Sequence, residues 1–243
     1  MGLDIYVGPL CRYYVRDWKT VVQQWGEAQG IPVKVVSPSS ANRGFLSKLF
    51  GGSGGSNSKS ALKRVLAWRD ELASQGRFGA AADWKWAEGT NVGYQTDKPD
   101  FDGYGAVQLW AAYAESDGIK RPTEFSRDWR ENVTLQNVSQ SQNTKFAHIY
   151  GPELWLPVDF REMFTASEIR RNQCKIGSTF RLWEQLRDLN HMTWNADDDM
   201  VRDWRKQGFE PEELESVARW GFSIWFCLAE YAQNNRLPMR LDY

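Results

Sequence analysis

The segment "RWGFSIWFCLAEYA" constrains this chain more than any other. Pro211 suits the first turn of a helix that runs to about Asn234, and the quoted segment inside it is apolar nearly all round. Such a helix must be covered on every side, so it is expected at the centre of the fold. The chain can supply the cover, because 243 residues with 42% hydrophobic and 25% charged side chains match a soluble globular protein with one sizeable core. No convincing linker divides it, and a single domain over residues 1–243 is expected.

Other stretches read as strands. In "GLDIYVG", Leu3, Ile5 and Val7 alternate with Asp4 and Tyr6, the period of a strand with one buried face. The face formed by Trp18, Val21, Val22 and Trp25 then predicts a helix, ended by Gly30 and Pro32 before a second strand in "VKVVS", a β-α-β opening. "KFAHIYG" and "LWLPVDF" read as an antiparallel strand pair, with Pro157 confining the second to an edge or a bulge, and "LPMRLDY" as a last strand.

Helices are expected around Leu62, Val65, Leu66 and Leu72, over "YGAVQLWAAYAES", after a Ser178 cap, and around Met200, Val201 and Trp204. Residues 51–60, "GGSGGSNSKS", read as an exposed loop. The expected class is α+β or mixed α/β: a small sheet containing the first strand and the "LWLPVDF" strand, packed against several helices including the long apolar one near the C-terminus.

Three stretches read almost alike: "VRDWKT", "SRDWRE" and "VRDWRK". Their separations are unequal and their flanks do not match, so they are not an internal repeat. One local solution accounts for all three, an Asp capping a helix whose first turn begins with Trp.

Several chemistries are disfavoured. Lys+Arg 30 against Asp+Glu 31 gives a net charge of -1, with no global field to draw in nucleic acid or an anionic membrane. Cys11, Cys174 and Cys227 are few, odd in number and far apart, which fits a reducing compartment. The N-terminus lacks a basic leader with a long apolar core, so a cytoplasmic protein is expected, with no membrane partner. Ser53 and Ser58 stand where a phosphate loop ending at Lys59 and Ser60 needs glycine. With only His148 and His191 and no Cys/His spacing, neither a metal site nor another cofactor is expected. Cys11 with His148 is the one nucleophile–base pair the sequence offers, and a small buried thiol is the commoner role for such a cysteine.

The residues most suited to binding cluster at candidate strand ends. Asp4, Tyr6, Arg12, Tyr13 and Tyr14 lie around the first strand, Trp155 and Asp159 in "LWLPVDF", and Asp102 and Tyr104 in "PDFDGYG". An Arg flanked by tyrosines can receive a carboxylate or phosphate, and Asp4 with Asp159 can do acid/base work if they converge. A polar sheet face with Tyr hydroxyls bonded to Asp is the plainer account.

The opening "MGLDIYVGPLCRYYVRDW", with "FDGYGAVQLWAAY", "ELWLPVDF", "IGSTFRLWEQL" and "RLPMRLDY", resembles a family of bacterial proteins of similar length with no assigned activity. The resemblance implies one shared domain architecture and transfers no catalytic residue. Lacking a complete catalytic motif, the chain is expected to be a non-catalytic cytoplasmic binding protein, an immunity-type protein being one form of it. It would recognise a protein partner through aromatic and charged surface. The alternative is an enzyme or binding module for a small polar or sugar-like ligand, built on the carboxylate, Tyr and Arg residues above.

Overall fold

The computed structural model describes residues 2–31, 33, 54–78, 83–169 and 172–243. In chain order the elements are β1 (Asp4–Val7), α1 (Leu10–Val15), α2 (Val21–Ala28), α3 (Gly54–Ser74), β2 (Gln95–Asp97), α4 (Asp100–Glu115), a 3-10 turn (Trp129–Glu131), α5 (Val133–Gln140) and α6 (Ala147–Tyr150). They continue with β3 (Leu154–Leu156), β4 (Phe164–Ser167), β5 (Gln173–Ser178), α7 (Thr179–Met192), α8 (Asp198–Gln207), α9 (Leu214–Asn235) and β6 (Met239–Asp242). The class is α+β, as expected.

The six strands form one mixed sheet in the order β2-β1-β6-β3-β5-β4, antiparallel throughout except where β3 and β5 run parallel. Strand alternation sends Leu3, Ile5, Val7, Met239, Leu241 and Trp155 to one face, where they join α4, α7, α8 and α9 in the main core. The opposite face presents Leu154, Leu156, Cys174 and Ile176 to α1 and α3. Helices thus cover both faces.

α9 is the central helix its composition demands, with Phe222, Trp225, Phe226 and Ala229 all fully buried. It packs on α4 at a glycine contact: a Cβ on Gly221 would stand 2.7 Å from the carbonyl carbon of Gly103. No helix among the described residues is long and apolar enough to cross a membrane.

The structure departs from the sequence-based expectations at several points. "KFAHIYG" is helical, not a strand: α6 spans Ala147–Tyr150. β3 is an interior strand between β6 and β5, so Pro157 ends the strand instead of confining it to an edge. Of the expected loop at 51–60, Gly54 onward is the first part of α3, while residues 51–53 lie outside the described residues, as do residues 34–37 of "VKVVS". α9 begins at Leu214, so Pro211 lies in the preceding turn.

The shared-cap account of the RDW stretches also fails. α2 is capped by Thr20, whose side chain accepts from Gln23 N in a capping box; Asp17 lies in the link before it. Asp128 precedes the 3-10 turn without a side-chain cap bond, and Asp203 lies inside α8, which Asp197 caps. What the three share is a buried indole: Trp18, Trp129 and Trp204 are each under a tenth exposed. Each also lies beside a guanidinium, of Arg16, Arg130 and Arg219 respectively, at 4.4–5.6 Å. The three rings sit in different places: Trp18 packs on Tyr6 and Tyr13, Trp129 on Tyr104, and Trp204 on Trp194 and Phe222.

Candidate functional site

The N-cap of α1 is Pro9, which has no side-chain oxygen to offer. Glu88 performs that task from a distance: its two oxygens accept from Leu10 N at 3.0 Å and Cys11 N at 2.9 Å, and Trp86 Nε1 donates to it at 2.8 Å. Burial raises the Glu88 carboxyl above its ordinary range, opposed by these donors. Burial, with Glu88 alongside, pushes the Cys11 thiol up to about 12, so it is not a ready nucleophile.

With α1 so placed, its tyrosines and arginines lie over one face of the sheet. Tyr13 Oη donates to Asp242 Oδ1 at 2.6 Å, and Arg16 pairs with Asp242 at 3.0 Å. Tyr14 Oη donates to Glu168 Oε2 at 2.9 Å, and Arg240 meets the same oxygen at 2.6 Å with its guanidinium 4.9 Å from the Tyr13 ring. Both members of the Arg240–Glu168 pair are almost wholly buried. Tyr6 donates to Pro9 O at 2.9 Å, and its ring packs with Tyr13, Trp18 and Tyr94. Arg12 stacks on Tyr94 at 4.6 Å, donates to Val92 O and pairs with Asp17 at 3.1 Å. Burial raises Tyr6, Tyr13 and Tyr14, Tyr13 to about 12.

Asp4 faces Asp242 across the β1–β6 register. One of its oxygens is buried without a hydrogen-bond partner, and burial raises its carboxyl to about 6 against the pull of Lys98. Asp4, Tyr6, Arg12, Tyr13 and Tyr14 therefore gather in one region, around β1 and α1.

The other four candidates lie elsewhere. Trp155 points into the main core and donates to His148 O at 2.9 Å; Tyr104 packs between Trp129 and Trp225. Asp102 is in the first turn of α4 with Arg127 at 3.9 Å, and Asp159 is held by Arg181 at 2.7 Å. Asp4 and Asp159 do not form an acid/base pair, because β6 separates β1 from β3 and Asp159 is spent on Arg181.

His148 accepts at Nδ1 from Ser178 N at 3.0 Å, which leaves Nε2 protonated to donate to Arg161 O at 3.0 Å. Both ring nitrogens are occupied, and burial lowers the imidazole to about 4, so it is neutral and offers Cys11 no base. No group of His, Cys, Asp and Glu among the described residues could hold a metal ion.

Sequence reasoning missed Glu88, Glu168, Arg240 and Asp242. Their partners on α1 are 77 to 229 positions away in the chain, and no local pattern marks them. It also missed a cleft of about 590 Å³ between α3 and β4. Comparison with protein-family models, with curated proteins and with solved structures finds no match for this chain.

Proposed function

We propose that the protein is a non-catalytic binding protein that recognises a protein partner through the outward face of α2. The observation that carries this reading is the exposure of three large apolar side chains within ten residues: Val22 at 42%, Trp25 at 58% and Ile31 at 50%. Val22 and Trp25 are one turn apart and share a helix face. An exposed indole with aliphatic neighbours is the composition of a binding hot spot, and the Lys19–Glu27 ion pair supplies a polar rim.

The groups that catalysis would need are meanwhile spent internally. Arg12, Tyr13, Tyr14 and Asp159 are each engaged by a neighbouring side chain, and the Cys11 and Cys174 thiols are both raised by burial. A cytoplasmic setting is consistent with three free cysteines, two of them buried.

The test is affinity capture from native lysate with wild-type and Trp25→Glu baits side by side, followed by size exclusion of the recombined pair. One protein captured stoichiometrically by the wild type and lost with Trp25→Glu, at an unchanged melting temperature, is the expected outcome. Equal capture by both baits would remove α2 as the recognition surface.

A further inference from the structure

The two edges of the sheet are finished differently. α2 reaches β2 through Gln24, whose Nε2 donates to Thr96 Oγ1 at 2.7 Å. At the opposite edge α3 runs antiparallel to β4. Trp68 Nε1 donates to Ser167 O at 2.8 Å, Arg64 donates to Ile169 O at 2.7 Å, and Arg77, just beyond the helix, lies over the Phe164 ring at 5.5 Å. The cleft between helix and strand, about 590 Å³, is within the range of small-ligand sites.

Three kinds of group on the strand side and at the ends of the cleft remain open. Glu168 N donates to Asn172 O at 2.9 Å, so residues 164, 166 and 168 are the hydrogen-bonded positions toward β5. The N–H groups of Thr165 and Ser167 consequently point to the free edge, and neither has an acceptor among the described residues. Glu168 gives Oε2 to both Tyr14 and Arg240, while Oε1, on a side chain only 3% exposed, accepts no hydrogen bond among the described residues. Arg77 forms no ion pair among the described residues; beside the Phe164 ring its side chain meets Gln75 Oε1, at 3.4 Å.

We propose that this cleft binds a short peptide with free ends, laid antiparallel along β4. Its ammonium would sit on Glu168 Oε1, its first carbonyl on the Ser167 N–H, and its carboxylate between the Thr165 N–H and the Arg77 guanidinium. The four steps from Phe164 to Glu168 span about 13 Å, which limits the occupant to a few residues. Trp68 and Leu72 furnish the apolar wall. The site goes beyond partner recognition at α2 and lies at the other edge of the sheet.

The experiment is a titration of the ¹⁵N-labelled full chain with trialanine, N-acetyl-trialanine and trialanine amide, followed by NMR. Saturable shifts of the Thr165 and Ser167 amides, with both blocked peptides weaker by about tenfold or more, are expected. Arg77→Gln, an exposed position, should weaken trialanine about tenfold without changing the melting temperature. The absence of a saturable shift at β4 with millimolar peptide, or equal binding of free and blocked forms, overturns the proposal. Carboxylate-dependent binding that is indifferent to acetylation also overturns it, because the occupant would then be the tail of a longer chain.

Discussion

Arg240 and Glu168 form an ion pair whose members are 11% and 3% exposed, and Tyr14 donates a hydrogen bond to the carboxylate. Burying two charges costs several kcal/mol of hydration, which mutual attraction and hydrogen bonds only offset. The pair is thus worth little relative to an apolar replacement, yet either member alone is costly. Arg240→Met should lower stability by about 3–5 kcal/mol, whereas Arg240→Met combined with Glu168→Leu should recover most of that loss. Urea unfolding of the single and double variants measures both, and a double variant as unstable as the single one would contradict the argument. The RDW stretches teach a related lesson about single residues. Capping requires the side chain to stand where the backbone enters a helix, and that point is set by Thr20, Asn132 and Asp197, not by the aspartates of the RDW stretches. What composition did mark there was the tryptophan, because a large ring is buried wherever it can be.

At the scale of elements, the α4–α9 contact is a close helix approach that glycine makes possible. A Cβ on Gly221 would stand 2.7–2.8 Å from backbone atoms of Gly103, which no side-chain rotation can relieve. Gly221→Ala should therefore cost a net amount of about 2 kcal/mol, after the ~1 kcal/mol that alanine gains in helix propensity. Gly103→Ala meets mainly the half-buried Trp220 ring, 2.8–3.0 Å away, and should cost less because that ring can shift. Chemical denaturation of the two variants ranks them, and a Gly221→Ala protein as stable as wild type would place the helices further apart than this. Long elements such as α4 and α9 were legible because their apolar content runs over several turns, and Ser178 was legible as the α7 cap because its cap bond is local. α6 was not, since four residues hold too little periodicity to separate a helical turn from a strand. The candidate site was half legible for the same reason. Tyr13 and Tyr14 announced a polar cluster beside the first strand, but Tyr14 meets its carboxylate 154 positions along the chain, a pairing only the sheet order creates.

Over the whole molecule, buried titratable groups oppose one another in their response to acid. Asp4 is raised to about 6 by burial, and Glu88 and Asp97 are raised in the same direction by the same cause. Each binds its proton more tightly in the folded state, so each contributes stability that is present at low pH and lost as pH rises through the folded value. His148, lowered to about 4 from 6.5, works the other way: its contribution is present above the ordinary value and lost as pH falls toward about 4. Asp83 is lowered by Arg236 and would share the His148 trend, but it is exposed and its pairing is screened by solvent. Three carboxyls raised by burial against one lowered imidazole mean that the melting temperature should hold or rise as the pH falls from the Asp4 value of about 6 toward about 4, where many proteins begin to lose stability. Asp4→Asn removes one of the three carboxyl contributions, so its melting temperature should fall relative to wild type as the pH is lowered across the same window. Scanning calorimetry of both proteins in buffers of equal ionic strength reads the difference directly. Parallel curves would mean that Asp4 titrates alike folded and unfolded, and that its unpartnered oxygen is hydrated after all.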